Sequence, residues 1–542
     1  MLDGPSGHGD DHGVLLRPLR EVGPVRLLAQ EHGPVHQGHA RPEAVHQLGQ
    51  DGEEPAGRET ADGQAELVDV HLRLVAVCGP DQHPVPQVRA DGDGVRLQDL
   101  PHQAPVQGLR LPVPVPEHEH DAAHRPSPDG RPGLSIVSRT SRLRRERAAH
   151  PWGRAESLTV TITARELNRA TLGRQLLLER EPLAAPDGVR RVVALQAQHP
   201  ASPYIALWNR LAGFAPDELD AAFTGRSVVK ATLMRITLHA VHAEDYPVFR
   251  SAMQPTLYAS RLGARFAAAG LTPADAAELL PELLAYADRP RTSAEMQAWA
   301  EERLGAEKKD AAWWGLKGYA PLHHAPTEAT WSFGLRPSFV AAGTGTGTGA
   351  VEVAADRAGD PQALQALILR YLAGFGPASV ADVAQFAMLQ RAPVRAALRA
   401  LDGRVEQLQG PDGGALFDLP GALRPPADTP APPRLMAMWD SILLAYADRS
   451  RVIPPAYRPL VIRRNGDVLP TLLVDGQVAG VWRPTADGIE ATAFHPLPAA
   501  AWEGLAAEAH ALTAFLQGRE TAVYSRYHHW WAKLPEAEVR RL

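Results

Sequence analysis

At about residue 150 the chain changes character, and that change decides how much of it can fold. Of its 542 residues, the first 150 contain no Phe, Trp, Tyr, Lys or Asn and one isoleucine, Ile136. They hold 13 of the 22 histidines and runs such as Leu111-Pro112-Val113-Pro114-Val115-Pro116. A stretch without aromatics and with few branched apolar residues cannot bury enough surface to offset chain entropy. Arginine without lysine, beside abundant Gly, Pro, His and Asp, is what GC-rich codons give when nothing selects the protein. The expectation is that residues 1–157 are a low-complexity, disordered extension, and that the working product starts near Leu158 or Val160. The histidines lack regular ligand spacing, so no metal site is expected among them.

The one cysteine, Cys78, lies in that extension, which leaves the folded part without disulfides, thiolate-held zinc or iron–sulfur clusters. There is no signal peptide and no apolar run of about 20 residues to span a bilayer. A cytoplasmic protein without a membrane partner follows. Residues 1–150 carry 16 Arg against 22 acidic residues, and the remainder 40 basic against 40 acidic. A neutral folded part can bind nucleic acid only through locally clustered arginines.

From residue 158 onward the pattern is α+β and mainly helical. Helices are expected over 164–179 with Thr163 as N-cap, 189–196, 203–211, 217–223, 272–287 and 293–304. Val228–Val241 is β-branched and alternating, hence one strand or a bent pair. The Gly-Thr run at 343–349 reads as a flexible connector. Residues 361–419 give three short helices, with Ser379 and Asp382 forming a variant capping box, then a hairpin turning at Pro411-Asp412-Gly413-Gly414. That order is the winged-helix pattern, in which a helix enters a groove and a wing meets phosphates. Beyond it come a helix at 435–446, strands at 460–463, 469–474, 478–482 and 489–494, and a helix at 500–518. The resulting segments are 158–260, 261–345, 346–425 and a β-rich 426–542.

No P-loop, dinucleotide fingerprint, nucleophile elbow or metalloprotease helix is present. The adjacent pairs His323-His324 and His528-His529, and Trp313-Trp314 and Trp530-Trp531, read as packing or surface residues. What stands out is Gln196-Ala197-Gln198, two amides at the end of the apolar run Val192–Leu195. Buried amides need partners or cost about 1–3 kcal/mol each. They either cap a helix end or hold a water. On a regular helix they would diverge by about 200°; Pro200 disfavours helix at His199. The expectation is therefore a helix ending here, with both amides converging at the break.

The runs VVALQAQHPASPYIALWNRL, PDELDAAFTGRSVVKATLMRITLHAVHAEDYPVF, RYLAGFGPASVADVAQF, WDSILLAYADRSRVIP and LLVDGQVAGVWRP resemble, in order, the winged-helix family of AlkZ-like DNA glycosylases. The matching stretches extend over about residues 160–485. The resemblance implies tandem winged-helix motifs around a concave DNA-binding channel. It also implies a Gln-x-Gln catalytic pair, Gln196 and Gln198, rather than the Gln-x-Asp of a sister branch. That branch is associated with excising N7-alkylated purines and unhooking interstrand crosslinks. Where the family pattern calls for Trp and Gly in the second helix of the 361–419 unit, this chain has Phe386 and Met388.

The implied chemistry suits neutral side chains. A purine alkylated at N7 is cationic and already a good leaving group, so the site need only place water near C1′ and oxygens beside developing positive charge. The expected protein is a monomeric, monofunctional glycosylase of double-stranded DNA, needing no metal and no cofactor. Arg226, Lys230, Arg235 and His239 around the first strands, and Arg391 and Arg395 on the third helix of the later unit, are candidate DNA contacts. Thr237 and His239 match the family's strand motif and either line the site or pack beneath it. The competing reading is a winged-helix regulator without activity, in which the glutamines are structural. A further reading, protection against a self-made DNA-alkylating compound, concerns biological context.

Overall fold

The structure is a computed structural model that describes residues 160–343, 359–535 and 537–542. The expectations for residues 1–157, and for all of the Gly-Thr run after Gly343, lie outside the described residues. Three antiparallel sheets organise the rest. A six-stranded sheet runs in the order β1 (Leu195–Gln196), β3 (Leu238–His242), β2 (Val228–Thr232), β5 (Leu322–Ala325), β6 (Ser338–Ala341) and β4 (Arg291–Thr292). A hairpin of β7 (Glu406–Gln409) and β8 (Ala415–Asp418) stands apart from it. A five-stranded sheet near the C-terminus joins β13 (Glu538–Arg541), β12 (Gly488–Ala493), β11 (Gln477–Thr485), β10 (Thr471–Val474) and β9 (Arg434–Leu435).

The six-stranded sheet separates two apolar cores, because successive side chains of a strand point to opposite faces. Leu195, Val228 and Ala240 join a core shared with the C-terminal sheet. Val229, Ala231 and Val241 join a second core built by the helices from Tyr246 to Tyr319 and from Pro361 to Ala400. Buried ion pairs tie distant segments across these cores. Arg174 meets Asp418 through two bonds of 2.7 and 2.8 Å, and Arg210 meets Asp440 through two of 2.8 Å.

The 361–419 unit has the expected order: helices Pro361–Phe375, Val380–Ala387 and Arg391–Ala400, then β7 and β8. Ser379 and Asp382 cap the second helix reciprocally. Met388 ends that helix in the left-handed region at φ 49°, a conformation that glycine adopts more readily. The Val474–Gln477 turn also forms as expected, with Asp475 at φ 49° and Gly476 at φ 78°, joining β10 to β11. A Cβ on Gly476 would stand 2.4 Å from Asn168 Oδ1.

Three expectations fail. The helix expected at 189–196 is instead Ala185–Arg191, and the chain then turns through Val193 at φ 75° into β1. The helix expected at 435–446 is β9 followed by irregular chain and a 3₁₀ turn, Ser441–Leu443, capped by Asp440. The stretches Val192–Leu195 and Leu435–Trp439 are apolar and buried throughout, so periodicity cannot separate helix from extended chain there. The strand expected at 460–463 is a short helix, Arg458–Val461, opening a tight turn. No helix among the described residues is long and apolar enough to cross a membrane.

Candidate active site

Gln196 lies on β1, paired in register with His239 of β3. Ala197 N donates to Leu238 O at 2.8 Å, which carries the extended conformation one residue further. Side chains two apart on extended backbone share a face. The amides thus converge because the chain is a strand, not because a helix breaks. Both line a pocket of about 260 Å3.

Each amide oxygen is anchored. Gln196 Oε1 accepts from Arg235 Nη2 at 2.7 Å, and Gln198 Oε1 accepts from the backbone N–H of Leu238 at 3.3 Å. Arg235 sits in the 3₁₀ turn Met234–Ile236 between β2 and β3, with Arg235 and Ile236 both left-handed at φ 55° and 59°. Strained backbone of this kind persists where the surroundings over-determine it. The guanidinium lies 5.5 Å from the Phe386 ring centroid, so the phenylalanine of the later unit backs the pocket rather than facing solvent.

His239 is fully buried, with Nδ1 3.1 Å from Thr237 O and Nε2 3.2 Å from Arg235 Nη2. A carbonyl only accepts, so Nδ1 carries the proton and Nε2 accepts from Arg235. Burial, with Arg235 alongside, pushes the imidazole pKa down to about 3. His239 is therefore neutral at physiological pH. Burial also lowers Arg235, to about 9, which leaves it charged.

The opposite wall comes from the C-terminal part. Ser441 Oγ donates to Ala194 O at 2.8 Å, and the Arg210–Asp440 pair fixes the same loop. Next to Asp440, Trp439, left-handed at φ 55°, lines the pocket and donates from Nε1 to Gly466 O at 2.9 Å. Gly466 belongs to the tight turn Arg463-Arg464-Asn465-Gly466-Asp467, closed by an Ile462–Val468 bridge and by Arg463 N to Asp467 O at 2.8 Å. Five arginines line the pocket, Arg235, Arg449, Arg458, Arg463 and Arg464, against one carboxylate, Asp467. That carboxylate is buried, and its Oδ2 already accepts from Asn465 Nδ2 and Trp530 Nε1 at 2.9 and 2.8 Å.

Of the residues singled out by sequence, the structure brings Gln196, Gln198 and Arg235 together, with His239 directly behind them. Lys230 points to the other face of the sheet, buried 4.3 Å from the Phe333 ring centroid; burial lowers its pKa to about 7. With Arg226 it borders a separate cavity. Arg391 and Arg395 are exposed on their helix and do not line the pocket. Sequence reasoning missed Trp439 and Arg449 together with the whole 463–467 turn. Asn465-Gly466 was a legible turn signal, and the two arginines before it marked its charge. His323 and His324 pack against Tyr246 and Phe339, as expected of them.

The model of the family described as "DNA glycosylase AlkZ-like" matches residues 189–515, and the chain belongs to that family of DNA repair glycosylases. Among solved structures, the fold is similar to the DNA glycosylase AlkZ of Streptomyces sahachiroi. The TM-score is 0.56 at 20% identity, over 67% of this chain and 99% of that one. No curated protein sequence matches it.

Proposed function

We propose that this glycosylase hydrolyses the N-glycosidic bond of N7-alkylated, cationic purines in double-stranded DNA and leaves an abasic site without cutting the strand. The observation that carries this reading is that the pocket presents two neutral amides, while its one carboxylate is buried with Oδ2 accepting from Asn465 and Trp530. Such a site cannot add the roughly 10²–10⁴-fold that a general base supplies. It suits substrates whose leaving group is primed.

Gln196 and Gln198 hold a water through the lone pairs that Arg235 and Leu238 leave free. The water oxygen attacks C1′, the electrons of the C1′–N9 bond pass to the base and neutralise its charge, and the surplus proton goes to solvent. Arginines would repel a cationic base, so their complement is the phosphate backbone beside it. The pocket is bordered by the exposed turn residues Arg464, Asn465 and Gly466, which suits a base that cannot leave the duplex and fits the unhooking of interstrand crosslinks.

In this reading segments 158–260 and 426–542 build most of the site, with Gln385 of 346–425 completing the lining. The 346–425 segment is a winged-helix unit whose Arg391 and Arg395 meet phosphates, and 261–345 completes a concave, tandem winged-helix channel. The enzyme works as a monomer in the cytoplasm. The test is duplex DNA carrying N7-methylguanine, incubated with enzyme and treated with mild alkali before electrophoresis. Breaks above the spontaneous level after alkali alone are expected, with uracil untouched. Gln196→Ala and Gln198→Ala should each slow release by about 10²-fold. Full activity in both variants would end the assignment, and no release by the wild type would favour a non-enzymatic regulator.

A further inference from the structure

The family match ends at residue 515, yet the pocket's arginine turn is gripped by a later segment. The 3₁₀ helix Ser525–Lys533 brings Trp530 against the turn at two points. Trp530 Nε1 donates to Asp467 Oδ2 at 2.8 Å, and its ring centroid lies 5.0 Å from the Arg463 guanidinium carbon. Arg463 has little else to orient it: Nη1 reaches Pro459 O only at 3.5 Å, and Nε and Nη2 are buried without an acceptor. One turn of the helix earlier, Tyr527 packs edge-on against Trp439, ring centroids 5.4 Å apart. Trp439 in turn holds Gly466 O. Two indole N–H groups thus fix adjacent residues of one short turn.

We infer that residues 525–533 are a positioning clamp for the reaction, in which Trp530 fixes the Arg463–Asp467 turn over the glutamine pair. The inference rests on the pocket being the active site. A short turn with one exposed arginine, Arg464, and an Asn-Gly tip would otherwise sample many conformations, and misplacement by about 1 Å is enough to slow a positioned reaction markedly. Trp530 contributes no atom to the pocket lining; it acts through Arg463 and Asp467.

The experiment uses the full chain and its Trp530→Phe, Trp530→Ala, Asp467→Ala and Trp530→Phe/Asp467→Ala variants. Excision of N7-methylguanine is followed at saturating enzyme, beside DNA affinity and melting temperature. Phe keeps an aromatic ring beside Arg463 while removing the indole N–H, a donor to a charged acceptor, along with part of the ring system, so the rate should fall about tenfold. Ala should cost more than Phe. The double variant should be no slower than Asp467→Ala, because both changes remove one bond. Melting and affinity should move far less than rate, which a merely structural tryptophan would not produce. A wild-type rate in Trp530→Phe, or losses that multiply in the double variant, would overturn the clamp. Should the wild type release no base, the substrate reading fails instead. The clamp is then judged by amide exchange at 463–467, which must quicken in Trp530→Phe for it to stand.

Discussion

Replacing Arg235 with Met separates the positioning of Gln196 from the stability of the fold. The change removes the Nη2 bonds to Gln196 Oε1 at 2.7 Å and to His239 Nε2 at 3.2 Å, while an apolar chain of similar length still packs on Phe386. A charge-assisted bond of this kind contributes about 1.5–3 kcal/mol. If the loss is felt as a misdirected amide in the transition state, the single-turnover rate falls roughly 10–150-fold. The left-handed φ of 55° costs the same in both proteins, so backbone strain cancels. Removing a desolvated cation offsets part of the cost of leaving buried His239 Nε2 without its donor, so stability should fall by no more than about 1–3 kcal/mol. Arg235→Lys restores charge, but a point donor cannot span Gln196 and His239 together, so it should recover only part of the rate. The assay is alkali-revealed release of N7-methylguanine at saturating enzyme, with a chemical melt beside it. Arg235→Met at the wild-type rate, while Gln196→Ala is slow, would show that the guanidinium does not orient the amide.

Other outcomes follow from the same contacts. His239 and His323 are buried with pKa values pushed to about 3 and about 4, from 6.5. Between 6.5 and about 4 the unfolded chain binds protons that the native one refuses. Stability is therefore full above 6.5 and falls as the pH falls, by about 1.4 kcal/mol per pH unit for each histidine, checked by denaturant melts at neutral and acidic pH. Arg464→Ala, at the exposed tip of the pocket turn, should lower the slope of log affinity against log salt by about one, measured by fluorescence anisotropy. Arg210→Met would strand Asp440, a fully buried carboxylate, and should cost about 3–5 kcal/mol in a guanidinium melt.

How far the sequence could be read depended on the kind of signal each element carries. The three helices and hairpin of 361–419 were legible because Ser379, Asp382 and the Asp412-Gly413-Gly414 turn are local chemistry, and the hydrophobic period matches the helices they bound. The glutamine pair was legible through its neighbours in the family pattern. Its geometry was not, since Val192–Leu195 is buried on both faces and carries no period to mark it as extended. The Trp439 wall was hidden for the same reason: the apolar residues from Leu435 to Leu444 are all buried in one core, and one left-handed residue redirects the chain. Lys230 shows the reverse limit. Its place in an alternating strand was clear, yet which face met the pocket depended on β1 pairing with β3, a contact between segments some 40 residues apart.

The pocket's two walls come from opposite ends of the folded chain, β1 at Gln196 and the turn at Arg463–Asp467. Non-local contacts of this span form late, since loop closure must be offset before they contribute. A chain still emerging from the ribosome, or one with its C-terminal sheet unfolded, has no assembled pocket around the glutamine pair. On the proposed reading that order of assembly is protective, because base removal waits for completion of the fold.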